Sequence, residues 1–341
     1  MPLTIKDVAK KAKVSTATVS LVMQKNKRIS PVTQQRVLRV VEKLNYRPSR
    51  IARGLVLQRS HNIGFVLSDD HFLRTEPFYT HIFLGSEFEA RDQEYYILLH
   101  TIPRNFDKCK HTPLFIQEHN VDGVIIAGKV PQEIISCIEQ NNLPIVFVDY
   151  CPPKGEYSAV LIDNFKGGME ATNYLLDHGH QKIAFIGGDL QHPSIQGRFQ
   201  GYKQTMEQKG VTFNPKYVIT SEADTTRETG YHAARSVLSH QSQVTAIFSC
   251  NDAMAIGAMQ YIRDQGLRVP QDMSIIGFDD VDAAVYTNPP LTTIHVPKEE
   301  LGIEAMRLMV ELLKKRIKST KKVLVPVEII KRESVKTLKI K

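Results

Sequence analysis

Apolar residues recur at helical spacing near the start of the chain and predict two short amphipathic helices joined by a tight turn. Three apolar residues at i, i+3 and i+4 give each helix one stripe. These stripes consist of Ile5, Val8 and Ala9 in the first helix and Val19, Val22 and Met23 in the second. Thr4 and Ser15 are well placed to cap the two helices, because their side-chain oxygens can accept orphan backbone N–H groups.

The outward face of the second predicted helix is small and neutral. With the apolar stripe turned inward, the side chains left outside are Ala17, Ser20, Leu21 and Gln24. A solvated helix face usually carries lysine and glutamate, whereas a helix that lies close against a partner needs small side chains. The pattern therefore predicts a helix-turn-helix whose second helix enters the major groove of DNA.

A third helix and a weak segment complete this region. Ser30-Pro31 supplies a cap and a first helical residue for a helix over about residues 32–44. Pro48 prevents its continuation, and the short segment that follows is rich in arginine, contains a glycine, and is too short to be stable alone. We expect residues 1–45 to form an all-α helix-turn-helix headpiece and residues 46–60 to form a hinge with a short helix.

From residue 63 the pattern changes to short apolar strands that alternate with helices of about ten residues, which is typical of parallel sheets. The alternation occurs twice, and each set contains a strand followed by aspartate, Asp149 in one and Asp279 in the other. We therefore expect residues 61–341 to form a two-lobed α/β domain with parallel sheets. Ligands of such sheets bind beyond the carboxyl ends of strands, so the cleft between the lobes is the expected site.

The charge is divided unevenly along the chain. Of 341 residues with a net charge of +8, the first 60 contain 14 basic and two acidic residues, and the remainder carries a net charge of −4. A basic segment joined to an ordinary acidic domain is the electrostatic footprint of a protein that binds the phosphate backbone. A solvated basic tail is the alternative, but a tail would not carry the apolar periodicity of the three helices.

Several other functions are disfavoured by the composition and motifs. No apolar run is long enough to span a membrane and no signal-peptide core precedes the headpiece, so we expect a cytoplasmic protein. A DNA-binding headpiece further implies that the protein is nucleoid-associated. The four cysteines include no C-x-x-C pair, which favours free thiols over a metal or redox site. No G-x-S-x-G, H-E-x-x-H or phosphate-binding glycine motif occurs, so we expect no enzyme activity, no cofactor and no metal.

Taken together, the motifs resemble those of a known family. Residues 4–9, 14–20, 44–48 and 52–55 are similar to the DNA-binding headpiece of the lactose-repressor (LacI-type) family of bacterial transcription regulators. The similarity continues to about residue 334. It implies a periplasmic-binding-protein-like effector domain and a homodimer that binds a pseudo-palindromic operator in double-stranded DNA. It further implies a ligand-responsive repressor of sugar or related catabolic genes, with a sugar, a sugar derivative or a nucleobase-like molecule as the small-molecule effector.

The resemblance also assigns the DNA contacts. They fall on Thr4, Ser15, Thr16, Ala17, Thr18, Ser20, Leu21, Arg28, Ser30, Thr33, Tyr46, Ser49, Ala52 and Leu55. Leu55 matches the residue that wedges into the minor groove at the operator centre. Leu21 departs from the family, which usually has arginine there. Leucine can pack on a thymine methyl group but cannot donate a hydrogen bond to guanine, so we expect a different half-site. That Leu21 only fills space on the helix is the alternative.

The effector contacts implied by the resemblance lie at the cleft. They are Phe78, Tyr79, Asp149, Ser194, Arg198, Asn251 and Asp279. Arginine offers a planar fork to hydroxyl or carboxylate oxygens, and carboxylates accept hydrogen bonds from sugar hydroxyls. A helix cap or an ion pair between the lobes is the structural alternative for each polar residue. Two departures from the family, the longer segment 70–76 and Thr225 in place of an aromatic, leave the effector class open.

Two other classes of protein share parts of this pattern. A nutrient-uptake binding protein would have the two lobes, but the basic headpiece disfavours it. An α/β enzyme with an accessory DNA-binding domain would also fit the architecture, and turnover of a sugar or nucleoside would distinguish it.

Overall fold

The computed structural model describes residues 3–23, 28–46, 59–69, 77–103, 105–220, 224–240, 243–317 and 319–338. The chain divides into two compact units, Met1–His61 and Asn62–Lys341. The predicted hinge contacts Ser49, Ala52 and Leu55 lie outside the described residues.

The first unit contains three helices around a small apolar core. They are α1 (Ile5–Ala12), α2 (Thr16–Met23) and α3 (Pro31–Lys43). The buried residues of the core are Val8, Ala9, Ala12, Val19, Val22, Val37 and Tyr46. The predicted helices and their inward stripes are confirmed, although Ile5 and Met23 are only partly buried. The core is small because three short helices enclose little volume.

Side-chain caps fix where these helices begin. At α1 the backbone N–H and the hydroxyl of Thr4 both donate to the Asp7 carboxylate, at 2.8 and 2.7 Å. At α2 the Ser15 Oγ accepts the Thr18 N–H at 3.1 Å. The predicted Ser15 cap is present, and at α1 Thr4 and Asp7 form a capping box in which Thr4 is the donor to the Asp7 carboxylate. The third helix ends at Lys43, and Asn45, two residues later, has a φ of 45° in the left-handed region that asparagine tolerates.

The first lobe of the second unit is built on a six-stranded parallel sheet. Its strands are β1 (Asn62–Ser68), β2 (Tyr96–Ile102), β3 (Gly123–Ala127), β4 (Ile145–Val148), β5 (Ser158–Ile162) and β11 (Lys322–Val325). The strand order is β11-β5-β4-β3-β1-β2. Its helices are α4 (Phe78–Asp92), α5 (Lys108–His111), α6 (Leu114–Gln117), α7 (Gln132–Gln140) and α12 (Lys298–Leu313).

The second lobe repeats this architecture on a smaller scale. Its parallel strands, in the order β7-β6-β8-β9, are β7 (Val218–Ile219), β6 (Ile183–Ile186), β8 (Ala246–Ser249) and β9 (Ser274–Ile276). Its helices are α8 (Asn164–Asp177), α9 (Pro193–Gln208), α10 (Arg227–His240) and α11 (Asp252–Asp264). An antiparallel pair, β10 (Thr293–His295) and β12 (Glu328–Ile330), lies alongside. The last predicted strand, over 274–278, ends two residues early, and Asp279 lies beyond it in an isolated β-bridge with His295.

The C-terminal part of the chain passes from the second lobe to the first and back again. After β10 the chain returns to the first lobe as α12, which packs closely along α4. A Cβ added at Gly85 would lie 2.0 Å from the Glu299 carbonyl oxygen, so only glycine allows this approach. The chain then adds β11 to the edge of the first sheet before it re-enters the second lobe as β12. Among the described residues no helix is both long enough and apolar enough to cross a membrane.

Candidate functional site

In the first unit, α2 exposes the face that the sequence predicts to meet DNA. Ala17 is exposed, while Ser20 and Leu21 are half-buried at the sides of the helix. The opposite face is closed by Val19 and Val22, which are 0% and 3% exposed. Because the opposite side of α2 is packed in the core, the small side chains on its exposed side allow the helix to approach another surface closely. Gln24 lies outside the described residues.

The remaining headpiece candidates fall into three groups. The exposed ones are Thr4, Ser15, Thr16, Arg28 and Ser30, and the half-buried ones are Thr18 and Thr33. Tyr46 is 9% exposed and belongs to the helical core, so packing is the role that its position indicates. The hydroxyls of Ser15 and Thr18 are 2.9 Å apart, and both lie at the first turn of α2, where backbone N–H groups favour anions.

In the second unit, the first lobe contributes a buried carboxylate to the cleft. Asp149 follows β4 with a φ of 65°, in the left-handed region. The Tyr79 hydroxyl donates to Asp149 Oδ2 at 2.8 Å. The other oxygen, Oδ1, is buried and has no hydrogen-bond partner in the described part of the protein. Phe78 packs edge-on against Tyr79, with ring centroids 5.1 Å apart.

The second lobe contributes an arginine whose side chain contacts four neighbouring residues. Arg198, in α9, is 6% exposed, and its Nε donates to Asn164 Oδ1 at 2.8 Å. Its Nη1 donates to the Cys250 carbonyl oxygen and lies 3.3 Å from Asp279 Oδ1. The guanidinium also stacks 3.7 Å from the centroid of the Phe278 ring. The ion pair expected as the structural alternative is therefore present, but within one lobe rather than between lobes.

Asn251 has a structural role at the start of α11. Its Oδ1 accepts the Met254 N–H at 2.9 Å and its Nδ2 donates to the Thr225 carbonyl oxygen at 3.0 Å. Both ends of the amide are thus occupied by protein partners, as in the helix-cap alternative. Any effector contact by Asn251 would have to share or replace one of these bonds.

One pair of predicted residues connects the lobes directly. Ser194, at the start of α9 in the second lobe, places its Oγ 3.5 Å from the Asp149 carbonyl oxygen in the first lobe. Together with the Tyr79–Asp149 bond, this contact gathers three predicted residues at one point. Arg198 and Asp279 form a second group in the second lobe. The cleft residues thus lie in two groups, each beyond the carboxyl end of a parallel sheet.

The sequence patterns did not single out His192, which the structure places between these groups. It precedes α9, and its ring centroid lies 5.6 Å from that of Tyr150, the residue after Asp149. Its Nδ1 is buried and has no hydrogen-bond partner among the described residues. Burial lowers the pKa of His192, while the negative charge of Asp149 acts in the opposite direction. Only its position, two residues before Ser194, could have drawn attention to it.

Asp252 is a further buried carboxyl close to Asp279. Its two oxygens accept the Thr293 hydroxyl at 2.6 Å and the Val281 N–H at 2.9 Å. Burial, followed by repulsion from Asp279, raises the pKa of Asp252 to about 8. The Lys298 ammonium, at the start of α12, donates to the Asp279 carbonyl oxygen at 2.6 Å and so ties the first lobe to this turn. Among the described residues no group of histidine, cysteine or carboxylate side chains could hold a metal ion.

Comparison with known proteins matches both units. Residues 4–49 match the model of bacterial regulatory proteins of the lacI family, and residues 172–335 match the periplasmic binding protein-like domain. The chain is 34% identical to the HTH-type transcriptional repressor PurR of Pasteurella multocida (strain Pm70), over 98% of this chain and 99% of that protein. It is 33% identical to PurR of Vibrio vulnificus (strain CMCP6), with the same coverage.

Solved structures of regulators share the whole architecture. The transcriptional regulator CelR in complex with cellobiose is 29% identical, with a TM-score of 0.75 over 97% of this chain and 99% of that one. The lac repressor dimer, bound to operator and an anti-inducer, is 26% identical, with a TM-score of 0.79 over 98% and 100%. The chain belongs to the LacI family of bacterial regulatory proteins and is a ligand-responsive, DNA-binding transcription regulator.

Proposed function

We propose that the protein is a homodimeric repressor that binds a pseudo-palindromic operator and is controlled by a sugar or sugar derivative in the cleft of the second unit. In this proposal residues 1–45 read DNA and residues 46–60 form the hinge. Effector binding changes the angle between the lobes and thereby the spacing of the two hinges. Because such coupling is reciprocal, DNA changes effector affinity by the same factor. The protein catalyses no reaction.

The observation that carries the effector site is Asp149 Oδ1, which is buried and has no hydrogen-bond partner within the described ranges. A buried acceptor without a donor costs about 1–3 kcal/mol, and a ligand that donates to it removes that cost. Asp149 also touches Ser194 of the opposite lobe. A ligand hydroxyl at Asp149 Oδ1 would therefore bind at the point where the lobes meet, and its affinity would depend on their angle.

The polar character of the cleft favours a neutral ligand with several hydroxyl groups. Asp149 accepts, His192 has a buried nitrogen without a partner among the described residues, and the positive charge of Arg198 is already balanced by Asp279. A strongly anionic ligand would have to compete with both carboxylates. Two solved relatives point the same way, since one is a complex with cellobiose and another, 27% identical with a TM-score of 0.71, has bound ribose.

Exposed apolar side chains support a homodimer. Phe88 on α4 is 46% exposed, and Tyr96 and Leu99 on the neighbouring strand β2 are 57% and 38% exposed. In the second lobe Val285 and Tyr286 are 49% and 87% exposed. Exposed apolar clusters mark interaction sites, and both lobes carry such residues. A solved relative is titled as a dimer on its operator, and a dimer matches the two half-sites of a palindrome.

A two-part experiment tests this proposal with the full chain. Duplexes that the protein retains from a random library define its operator, and a palindromic consensus is expected. A thermal-shift screen against sugars, sugar phosphates and purines then identifies the ligand, because a cleft ligand raises the unfolding temperature by mass action. The identified ligand should alter operator affinity. Hydrolysis or phosphorylation of a sugar by the purified protein would contradict the proposal.

The Asp149→Asn variant links the ligand to this cleft. It keeps the shape of the side chain but removes its charge, so we expect effector affinity to fall by about tenfold or more, since hydrogen bonds to charged groups are worth about 1.5–3 kcal/mol. Asp177→Asn, at the exposed end of α8, is the matched control and should bind the effector normally. Unchanged affinity in Asp149→Asn would place the effector elsewhere.

A further inference from the structure

A dense group of basic side chains lies on the second unit, between α12 and β11. We name it the α12 basic patch, and it consists of Lys314, Lys315, Arg316, Lys321 and Lys322. All five side chains are exposed. The domain that carries them is net acidic overall, with a charge of −4 over residues 61–341. A concentration of positive charge in an acidic domain is the pattern expected of a surface that meets an anionic partner.

The topology of the first lobe fixes where this patch lies. The helix α12 runs against the direction of the parallel strands, because a Cβ at Gly123, the first residue of β3, would meet Met309 near the end of α12. The Lys314 ammonium donates at 3.3 Å to Gln93, which precedes β2. The patch is therefore at the amino ends of β2 and β3.

The same edge of the sheet receives the chain from the headpiece. The first strand of the unit begins at Asn62, which is paired with Tyr96 at the beginning of β2. On the other side of the patch, the Ala159 N–H donates to the Lys321 carbonyl oxygen at 3.0 Å, where β11 begins beside β5. The segment that follows the headpiece therefore enters the second unit at the same edge of the sheet as the α12 basic patch.

Ion pairs and hydrogen bonds among the described residues neutralise only part of the positive charge of the α12 basic patch. The Lys321 ammonium lies 3.2 Å from Glu311, and Lys314 binds the neutral Gln93 side chain. One or two cations are enough to complement the negative end of the α12 dipole, whereas five are present. Two carboxylates also lie at this edge of the sheet, Glu94 before β2 and Asp122 before β3. The excess of positive over negative charge is therefore confined to the α12 basic patch and does not extend along the whole edge.

We propose that the α12 basic patch binds the phosphate backbone of the DNA that flanks the operator. This inference rests on the proposed operator binding by the headpiece. DNA held by the headpiece is tethered to the edge of the sheet that carries the patch, so the second contact forms at a high effective concentration. Contacts between lysine or arginine and phosphates strengthen binding and orient the protein without reading the sequence.

The test compares two triple variants of the full chain on two duplexes. Lys315→Gln, Arg316→Gln and Lys322→Gln together remove three charges from the patch. The matched control removes three charges from exposed lysines of the second lobe, with Lys182→Gln, Lys209→Gln and Lys216→Gln. One duplex ends at the edges of the selected operator, and the other extends two helical turns beyond it on each side. Operator affinity is measured as a function of KCl concentration.

On the long duplex, the patch variant should lose affinity at low salt, and its slope of log affinity against log salt should become shallower. The expected change in slope is about 0.9 for each phosphate that the variant no longer neutralises, and up to about 5 if all three cations of both subunits are engaged. On the short duplex, the patch variant and the wild type should agree. The control variant should match the wild type on both duplexes, and circular dichroism should show all three proteins folded.

Three results would overturn the inference. They are an unchanged slope of the patch variant on the long duplex, an equal change in the control variant, or an equal change on the short duplex. Loss of binding to anionic lipid vesicles with normal DNA binding would instead identify a membrane as the partner. If the wild-type protein shows no preference for any operator, the proposed function fails, and this is distinct from failure of the patch alone.

Discussion

The hydroxyl of Tyr79 donates to Asp149 Oδ2 at 2.8 Å, and the second oxygen of the same carboxylate is buried with no hydrogen-bond partner among the described residues. Asp149 is thus held in position on one side and left open on the other. The helix α4 supplies the tyrosine and the loop after β4 supplies the carboxylate, so the cleft is preformed within the first lobe. A ligand at this point needs only to donate a hydrogen bond.

Tyr79→Phe should therefore destabilise the protein without a change in side-chain shape. Loss of the hydroxyl leaves both Asp149 oxygens buried without a donor from the part of the chain that the structure describes, and we expect the free energy of unfolding to fall by about 1–3 kcal/mol. Urea unfolding at neutral pH measures this change. Tyr157→Phe is the matched control, because its hydroxyl donates to Glu139 at 2.7 Å at the exposed surface. Water can replace that bond, so a loss below about 1 kcal/mol is expected there, and equal losses would contradict the buried geometry.

The raised pKa of Asp252 predicts that stability falls as the pH rises. Burial and the nearby Asp279 raise its pKa from 3.8 to about 8 in the folded protein. Between these values the folded state holds a proton that the unfolded state has released. The contribution to stability is therefore complete below about pH 4 and is lost progressively towards about pH 8, by up to about 1.4 kcal/mol per pH unit.

Asp252→Asn should remove this dependence. The amide oxygen can accept the Val281 N–H as the carboxyl does, and the amide nitrogen can donate to the Thr293 oxygen, which reverses the wild-type bond in which the Thr293 hydroxyl donates. Unfolding free energies of the wild type and the variant, measured from about pH 4 to about pH 8, should diverge as the pH rises, with the variant flatter. Parallel curves would show that Asp252 is ionised in the folded protein throughout.

His180 predicts the opposite trend at lower pH. Its Nδ1 lies 3.0 Å from the Thr245 hydroxyl and its Nε2 lies 3.0 Å from the Lys336 carbonyl oxygen. Burial lowers the pKa of this imidazole from 6.5 to about 4. Because the unfolded chain binds the proton first, the contribution is complete above about pH 6.5 and is lost as the pH falls to about 4.

His180→Gln should accordingly flatten the acid side of the stability curve. Glutamine can keep a donor for the Lys336 carbonyl oxygen while it lacks a titratable ring. We expect the variant to lose up to about 1.4 kcal/mol per pH unit less than the wild type between about pH 6.5 and about pH 4. His232→Gln, on the exposed surface of α10, should retain the wild-type slope. A slope shared by all three proteins would assign the acid sensitivity to other groups.

The sequence predicts those parts of the structure that local periodicity determines. The stripes through Val8 and Val19 specify the headpiece, and the βα alternation specifies two parallel sheets. It does not identify β5 (Ser158–Ile162) or β11 (Lys322–Val325). The latter is an edge strand that begins with lysine, and it joins β5 through a pairing between residues far apart in the chain. Local sequence patterns do not indicate that β11 pairs with β5.

The residues of the candidate site also divide into those that local sequence patterns identify and those that depend on contacts between distant residues. Asp149 was predictable because a residue after a parallel strand lies at the sheet edge where ligands bind. His192 was not, because its importance comes from burial beside Tyr150 in the other lobe. Asn251 fitted both a ligand contact and a helix cap, since both need an amide at a helix start. Only the distances to Met254 and Thr225 show that the cap is formed.

Leu55→Ala tests the part of the prediction that lies outside the described residues. If the leucine wedges into the minor groove at the operator centre, its loss should weaken specific operator binding by about tenfold or more, as unstacking a base step costs a few kcal/mol that the wedge must supply. Effector affinity, measured by thermal shift, should be unchanged. Wild-type operator affinity in this variant would remove Leu55 from the DNA interface.

Leu21→Arg tests which residue of α2 sets the half-site. Leu21 lies at the side of the helix, beside the exposed Ala17 and next to the buried Val22. Arginine there would add a bidentate donor for guanine, and a good pair of this kind discriminates against the wrong base by about 1–3 kcal/mol. Libraries of half-sites retained by the variant should therefore gain guanine at one position, with a preference of about fivefold to 150-fold at that base pair.

Val32→Arg adds the same charge to the exposed surface of α3, where valine is 77% exposed. That control should strengthen binding to every duplex alike through phosphate attraction. A half-site preference that stays the same in Leu21→Arg would mean that Leu21 only fills space on the helix.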